Sequence, residues 1–241
     1  MLKKIPSEDR VYLVQLSHLA NSISILQKLL AYTYRKSDID LIWKANIAQG
    51  SLIGRMLGGV IVEGWKVLEP FLITERGREL TNKLSKDGRS DLDSLVAYLS
   101  KPNPIKKLRD KFAFHFDRKA IENELELLSE KRDYHLYFAK HQGNSLFYLA
   151  EEIVGAAMTT IVGAMTNEED ERKVLTRIYK DLVKLARWML QVTHEIVAFI
   201  VLEHSPGVTW RDLQEIDVPD GPQIDKIAVP YFTTSPPGIG A

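Results

Sequence analysis

Between residues 175 and 199, eight apolar residues recur at steps of three and four: Leu175, Ile178, Leu182, Leu185, Met189, Val192, Ile196 and Phe199. That spacing puts them on one stripe of an α-helix and excludes a strand, whose period is two. Asn167 with Glu168, Glu169 and Asp170 supplies the start signal, acidic residues standing where the helix dipole favours them, and the pattern reaches about Glu203. At 1.5 Å per residue such a helix is roughly 50 Å long, enough to span an entire domain. A stripe of that length needs helical partners along all of it. The expected fold is all-α, an up-and-down helical bundle.

The rest of the chain supplies the partners. Ser7, followed by Glu8 and Asp9, opens a helix whose Tyr12, Leu16, Leu19, Ile23, Leu26 and Leu30 form a second stripe. Ser37 or Asp38 is expected to cap a second helix running to about Leu68 and ended by Pro70. Gly50, Gly54 and Gly58 lie four apart on one of its faces. Each glycine costs about 1 kcal/mol against alanine in a helix interior, so a close approach should compensate. That approach is either a helix crossing inside the bundle or a dimer interface.

Shorter helical pieces follow from Thr74, a cap, to Ser100, with Ser90 or Asp91 opening one of them after a break at Gly88. Pro102 and Pro104 force a turn and start another helix, and Asp117 caps the next, whose Ile121, Leu125 and Leu128 share a face. Residues 134–149 are rich in aromatics around His-Gln-Gly-Asn and predict a β-hairpin-like excursion. The helix that resumes carries small residues at 155, 156, 159, 160, 163 and 164, a ridge suited to pack on the glycines. Six of the ten prolines fall between 206 and 241, which reads as an irregular tail pinned by Trp210, Tyr231 and Phe232. The expected organisation is one helical-bundle domain over 7–205, with 134–149 as its insertion, and a Pro-rich tail over 206–241.

Charge narrows the partners. Lys plus Arg and Asp plus Glu both number 32, so a polyanion would have to be held by a local patch. The absence of cysteine excludes disulfides, thiolate metal sites and a cysteine nucleophile. The sequence has no His-Glu-x-x-His, no Glu-x-x-His, no nucleophile elbow and no glycine-rich phosphate loop, so neither metal nor cofactor is expected. Residues 47–65, the most membrane-like stretch, are interrupted by Gln49, Arg55 and Glu63. A cytoplasmic protein with no membrane segment is the expectation.

One stretch gathers chemistry. From Lys101 to Lys119 seven positive residues stand against two negative ones, a local excess of five in a neutral chain. Leu108, Phe112 and Phe116 give it an apolar face, and Arg109, Asp110 and His115 stand together beside it. Histidine, with an ordinary pKa near 6.5, can move protons at neutral pH. An arginine fork can bind a phosphate in two places. Positions six apart on a regular helix point about 120° apart, so Arg109 and His115 converge only where the helix ends or loosens, or where a second subunit completes the site. In a purely structural reading Arg109 forms a buried ion pair with Asp110 or Glu151.

Arg109-Asp110-Lys-Phe-Ala-Phe-His115 resembles the signature of the HEPN superfamily: arginine, a polar residue, and histidine after a spacing of four to six. Members of that superfamily are α-helical bundles, many of them metal-independent RNases that dimerise to bring two motifs together. The resemblance implies an endoribonuclease of toxin or phage-defence type, with RNA as substrate, an antitoxin or other protein as partner and a homodimer as the working form. It assigns His115 as general base or acid, Arg109 as the phosphate-binding stabiliser of the transition state, and Asp110 as the residue orienting them. Lys106, Lys107, Lys111, Arg118 and Lys119 would hold the RNA backbone, and Gly50, Gly54 and Gly58 become a candidate dimer face. The other reading is a non-enzymatic helical interaction or scaffold protein in which Arg109 and His115 are structural.

Overall fold

The structure, a computed structural model, describes residues 2–33, 35–113, 117–127, 132–207, 209, 222–223 and 226–233. His115 lies outside the described residues, as do Phe114, Phe116, Leu128, Trp210 and the end of the tail. The described residues are helical throughout most of the expected domain. A short 3-10 turn, Leu2–Lys4, precedes α1 (Ser7–Thr33), α2 (Asp40–Leu72), α3 (Glu75–Asn82), α4 (Lys86–Leu99) and α5 (Pro104–Leu108). A π-helical turn at Arg109–Ala113 continues α5, and α6 (Arg118–Glu126), α7 (Tyr148–Thr166) and α8 (Glu171–Glu203) complete the order.

The long helix is central. α8 packs on α1 and α4, and α2 packs on α1 and α5. Leu16, Ile23, Leu57, Ile61, Trp65, Leu182, Leu185 and Met189 belong to one continuous core that reaches from α1 to α8. Along α8 the buried stripe runs Val174, Ile178, Leu182, Leu185, Met189, Val192, Ile196, Ile200. The middle of this stripe is the one read from sequence, but at its ends Val174 and Ile200 are buried, with Leu175 and Phe199 only half-buried. A straight helix has 3.6 residues per turn, so a stripe drifts by one position over this length. α7 and α8 are each long and apolar enough by length and composition to cross a membrane.

Local signals placed several boundaries. Thr74 accepts a hydrogen bond from the Gly77 backbone N–H, and Asp117 accepts one from Ala120. Elsewhere tertiary contacts override local reading. α2 continues past Pro70 to Leu72 because Phe71 is anchored in the core, its ring 4.4 Å from that of Tyr12. Gly88 is no break. α4 starts at Lys86 with Ser85 as its cap, and a Cβ on Gly88 would stand 2.6 Å from the carboxylate of Glu195 on α8. That carboxylate accepts from the Ser85 N–H and hydroxyl, so α8 helps to cap α4. Asn167 ends α7 in the left-handed conformation, φ 50°, and Asp170 is the residue that caps α8.

The expected β-hairpin is not formed. Residues 134–149 contain one isolated antiparallel bridge, Tyr137 to Leu146, around a 3-10 turn at Gln142–Asn144, with no strand among the described residues. The reason is that Tyr137 and Leu146 are used by a satellite core with Ala45, Ala48 and Tyr148, which one bridge suffices to position. Beyond the bridge the Ser145 hydroxyl takes the Ala139 N–H, closing the ladder. The tail joins the same cluster: Tyr231 donates to the Ser145 carbonyl at 2.7 Å, and Asn144 exchanges two hydrogen bonds with the backbone of Thr233.

The glycine face of α2 is covered from within the chain. A Cβ on Gly50 would meet Thr33; on Gly54, Tyr179 and Leu182; on Gly58, Leu108 at 2.9 Å and Leu182 at 3.3 Å. All three are buried, in helix crossings with α1, α5 and α8. The ridge of α7 is not their principal partner, since a Cβ added to Gly155 on that ridge would meet nothing within 4 Å.

Candidate functional site

α5 is short and well anchored. Asn103, buried, accepts from the Lys106 N–H at 2.9 Å and donates to the carbonyls of Tyr98 and Lys101. Pro104 takes the first position, where a missing N–H costs nothing, and Ile105 and Leu108 drive the helix into the core. Phe112, also buried, fixes the far side of the π turn. Single π turns inside helices are rare and frequent at functional sites. Here the regular helix loosens at Arg109 itself, six residues before His115.

Arg109 projects toward α2. Its Nε donates to Glu63 Oε1 at 2.7 Å, and its Nη2 donates to the same oxygen. Its Nη1 donates to Asp110 Oδ1 at 2.9 Å. One turn further along α2, Lys66 reaches both Glu63 oxygens at 3.0 and 3.3 Å. Burial pushes the Glu63 carboxyl up, but the hydrogen bonds from Lys66 and Arg109 outweigh it and hold the group below the ordinary range. Hydrogen bonds to Asp110 and then to Glu63 raise the pKa of the Arg109 guanidinium further. The Arg109 side chain is 25% exposed and that of Glu63 is 45% exposed, so the pair sits at the rim of the core. Of the two structural partners expected for Arg109, Asp110 is present. Glu151 instead pairs with the buried Arg55.

The lysines gather on another side of the same turn. Lys107, Lys111 and Lys119 line a cleft of about 370 Å³ with Asp117, Asn123 and Thr160, between α6 and α7. Lys111 is held by Asp117, while Lys107 and Lys119 have no ion-pair partner among the described residues. Lys106 does not line this cleft, and Arg118 lies exposed with Glu122. Arg109 and Asp110 are not part of the lining either. The structure therefore brings three of the five basic residues together and places the arginine beside them, facing α2.

Glu124 and Thr160 also border a second, larger cleft of about 760 Å³ that sequence reading missed. Trp43 and Tyr148 give it an aromatic wall, and most of its charges are paired: Lys44 with Asp40 and Asp133, Arg132 with Glu152 and Glu171. Lys44 and Asp133 come from positions 89 apart, and no local pattern announces such a pair. At the opposite end of the bundle Asp9, Glu203 and His204 converge, and the Arg76 guanidinium binds both carboxylates there.

Comparison of the chain with protein-family models, curated proteins and solved structures returns no match.

Proposed function

We propose that the protein is a HEPN-like endoribonuclease that works without a metal, with RNA as its substrate and a homodimer as its working form. The observation that carries this reading is the π turn at Arg109–Ala113, with Asp110 hydrogen-bonded to the Arg109 guanidinium. The turn departs at Arg109 from the regular helix, which supports a looser path toward His115. The hydrogen bond between Arg109 and Asp110 supports the orienting role that the resemblance implies for the polar residue. In the reaction, His115 takes the proton from a ribose 2′-hydroxyl as that oxygen attacks the adjacent phosphorus, the bond from phosphorus to the 5′-oxygen breaks, and the products are a 2′,3′-cyclic phosphate and a 5′-hydroxyl that takes its proton from solvent. Arg109 binds the charge that builds on the non-bridging oxygens. Lys107 and Lys119 hold the backbone that runs on from the site, which makes binding salt-sensitive.

Reversing the charge of both lysines tests the RNA surface. Lys107→Glu with Lys119→Glu should weaken binding of a labelled single-stranded RNA by at least about tenfold at low salt and flatten its salt dependence. Unchanged affinity and slope would remove RNA from the reading.

A second reading is favoured by the Arg109–Glu63 contact. Both the Nε and Nη2 groups of Arg109 are already taken by a carboxylate, as expected of a structural clasp between α2 and the π turn in a non-enzymatic interaction protein. In that case no RNA preparation is cleaved, and Arg109→Ala changes stability alone.

A further inference from the structure

We infer that Glu63 occupies the phosphate position of Arg109 in the unliganded protein and is exchanged for a substrate phosphate on binding. This rests on reading Arg109 as a phosphate-binding residue and adds the residue that controls its availability. An arginine presents paired N–H groups that donate to a carboxylate or a phosphate in the same geometry. In this chain Nε and Nη2 of Arg109 both point at Glu63 Oε1.

Three features make the contact exchangeable. Glu63 is nearly half exposed, so it can rotate away without opening the core. When it leaves Arg109 it keeps Lys66, which already contacts both of its oxygens, so no carboxylate is stranded. Arg109 keeps Asp110 through Nη1, which holds the guanidinium in place while its other edge turns to the ligand. The buried arginine of α2, Arg55, has no such freedom: it is nine-tenths buried against Glu151. The local charge sequence, with Lys66 behind Glu63 and Asp110 behind Arg109, is that of two groups each supplied with a second partner.

The test measures the affinity of the full-length protein for a labelled single-stranded RNA by fluorescence anisotropy at one fixed salt concentration. The variants are Glu63→Asp, Glu63→Gln, Arg109→Ala and Arg109→Ala combined with Glu63→Asp, each checked for folding by its melting curve. Glu63→Asp keeps the charge and withdraws the carboxylate by one methylene. The inference expects it to bind RNA roughly threefold or more tighter than wild type, a gain of about 0.7 kcal/mol. It expects that gain to vanish in the Arg109→Ala background. Glu63→Gln should be tighter still, with inorganic phosphate competing more effectively against RNA than it does in the wild type. If wild type binds RNA and Arg109→Ala weakens it, but Glu63→Asp is no tighter, the exchange is wrong and Arg109 remains the phosphate ligand. The exchange is equally wrong if the gain persists without Arg109. If Arg109→Ala binds as well as wild type, the phosphate role of Arg109 itself falls and the exchange with it.

Discussion

The carboxylate of Asp133 lies between Lys44 of α2 and the ring of His135, in the wall of the larger cleft. Burial pushes its pKa up, but hydrogen bonds from Lys44 and His135 prevail and bring it down to about 2. Because the folded value is below the unfolded one, near 3.9, this group stabilises the fold above pH about 4. Its contribution is lost as pH falls from about 4 to about 2. Asp133→Asn should lower the melting temperature at neutral pH and flatten the curve of melting temperature against pH within that window. An unchanged acid limb would mean that the Lys44 pair contributes nothing. Arg109 belongs to the same scale. Its partner pair is part-exposed, so Arg109→Ala should cost only about 0.5–1 kcal/mol in urea unfolding. Both pairs also mark where sequence reading stops. Asp110 could be named as the partner of Arg109 because it is adjacent, whereas Glu63 is 46 positions away and reaches it only through the packing of α2 on the π turn. Tertiary packing likewise delivered Glu151 to Arg55.

Helices were legible where their own residues decide them, and misread where another helix does. The stripe of α8 and the caps Thr74 and Asp117 follow from local periodicity and side-chain hydrogen bonding. The starts of α2, α4 and α8 and the end of α2 were displaced: Ile39, not Ser37 or Asp38, takes the cap position of α2, and Glu195 and Phe71 act from the core at the start of α4 and the end of α2. α6 reads as amphipathic but buries no residue: Leu125 is 44% exposed. The glycines separate the two kinds of position by experiment. Gly155→Ala meets nothing and gains helix propensity, so it should raise stability by about 0.5–1 kcal/mol. Gly58→Ala gains the same propensity but drives a methyl group to 2.9 Å from Leu108 and 3.3 Å from Leu182, both core residues. Overpacking of that kind costs about 1–3 kcal/mol, so the net change is destabilising. Chemical denaturation of the two variants should move the midpoint in opposite directions, and a stable Gly58→Ala would show that the crossing of α2 with α5 and α8 is looser than its geometry.

At the scale of the molecule, one core joins α1 to α8, and a small second cluster fastens residues 137–148 and the segment around Tyr231 to α2. Composition revealed the aromatic character of the first segment and the proline-rich character of the second, but not that each finds its partner in the other. Asn144→Ala removes both hydrogen bonds to Thr233. It should speed proteolysis within 222–233 while leaving the main unfolding transition in place, and equal cleavage rates would mean that Tyr231 and Phe232 hold the segment unaided. The functional claim is also one for the whole molecule, since it joins the π turn, the lysine cleft and a second subunit. Its most direct test is cleavage of labelled structured and single-stranded RNA, with EDTA present, by wild type, Arg109→Ala and His115→Ala. The account predicts cleavage that survives EDTA and falls by roughly a hundredfold or more in both variants while their folds are retained. Intact RNA after incubation with wild type, alongside a lowered melting temperature for Arg109→Ala, would contradict it and leave Arg109 as a clasp between α2 and the π turn.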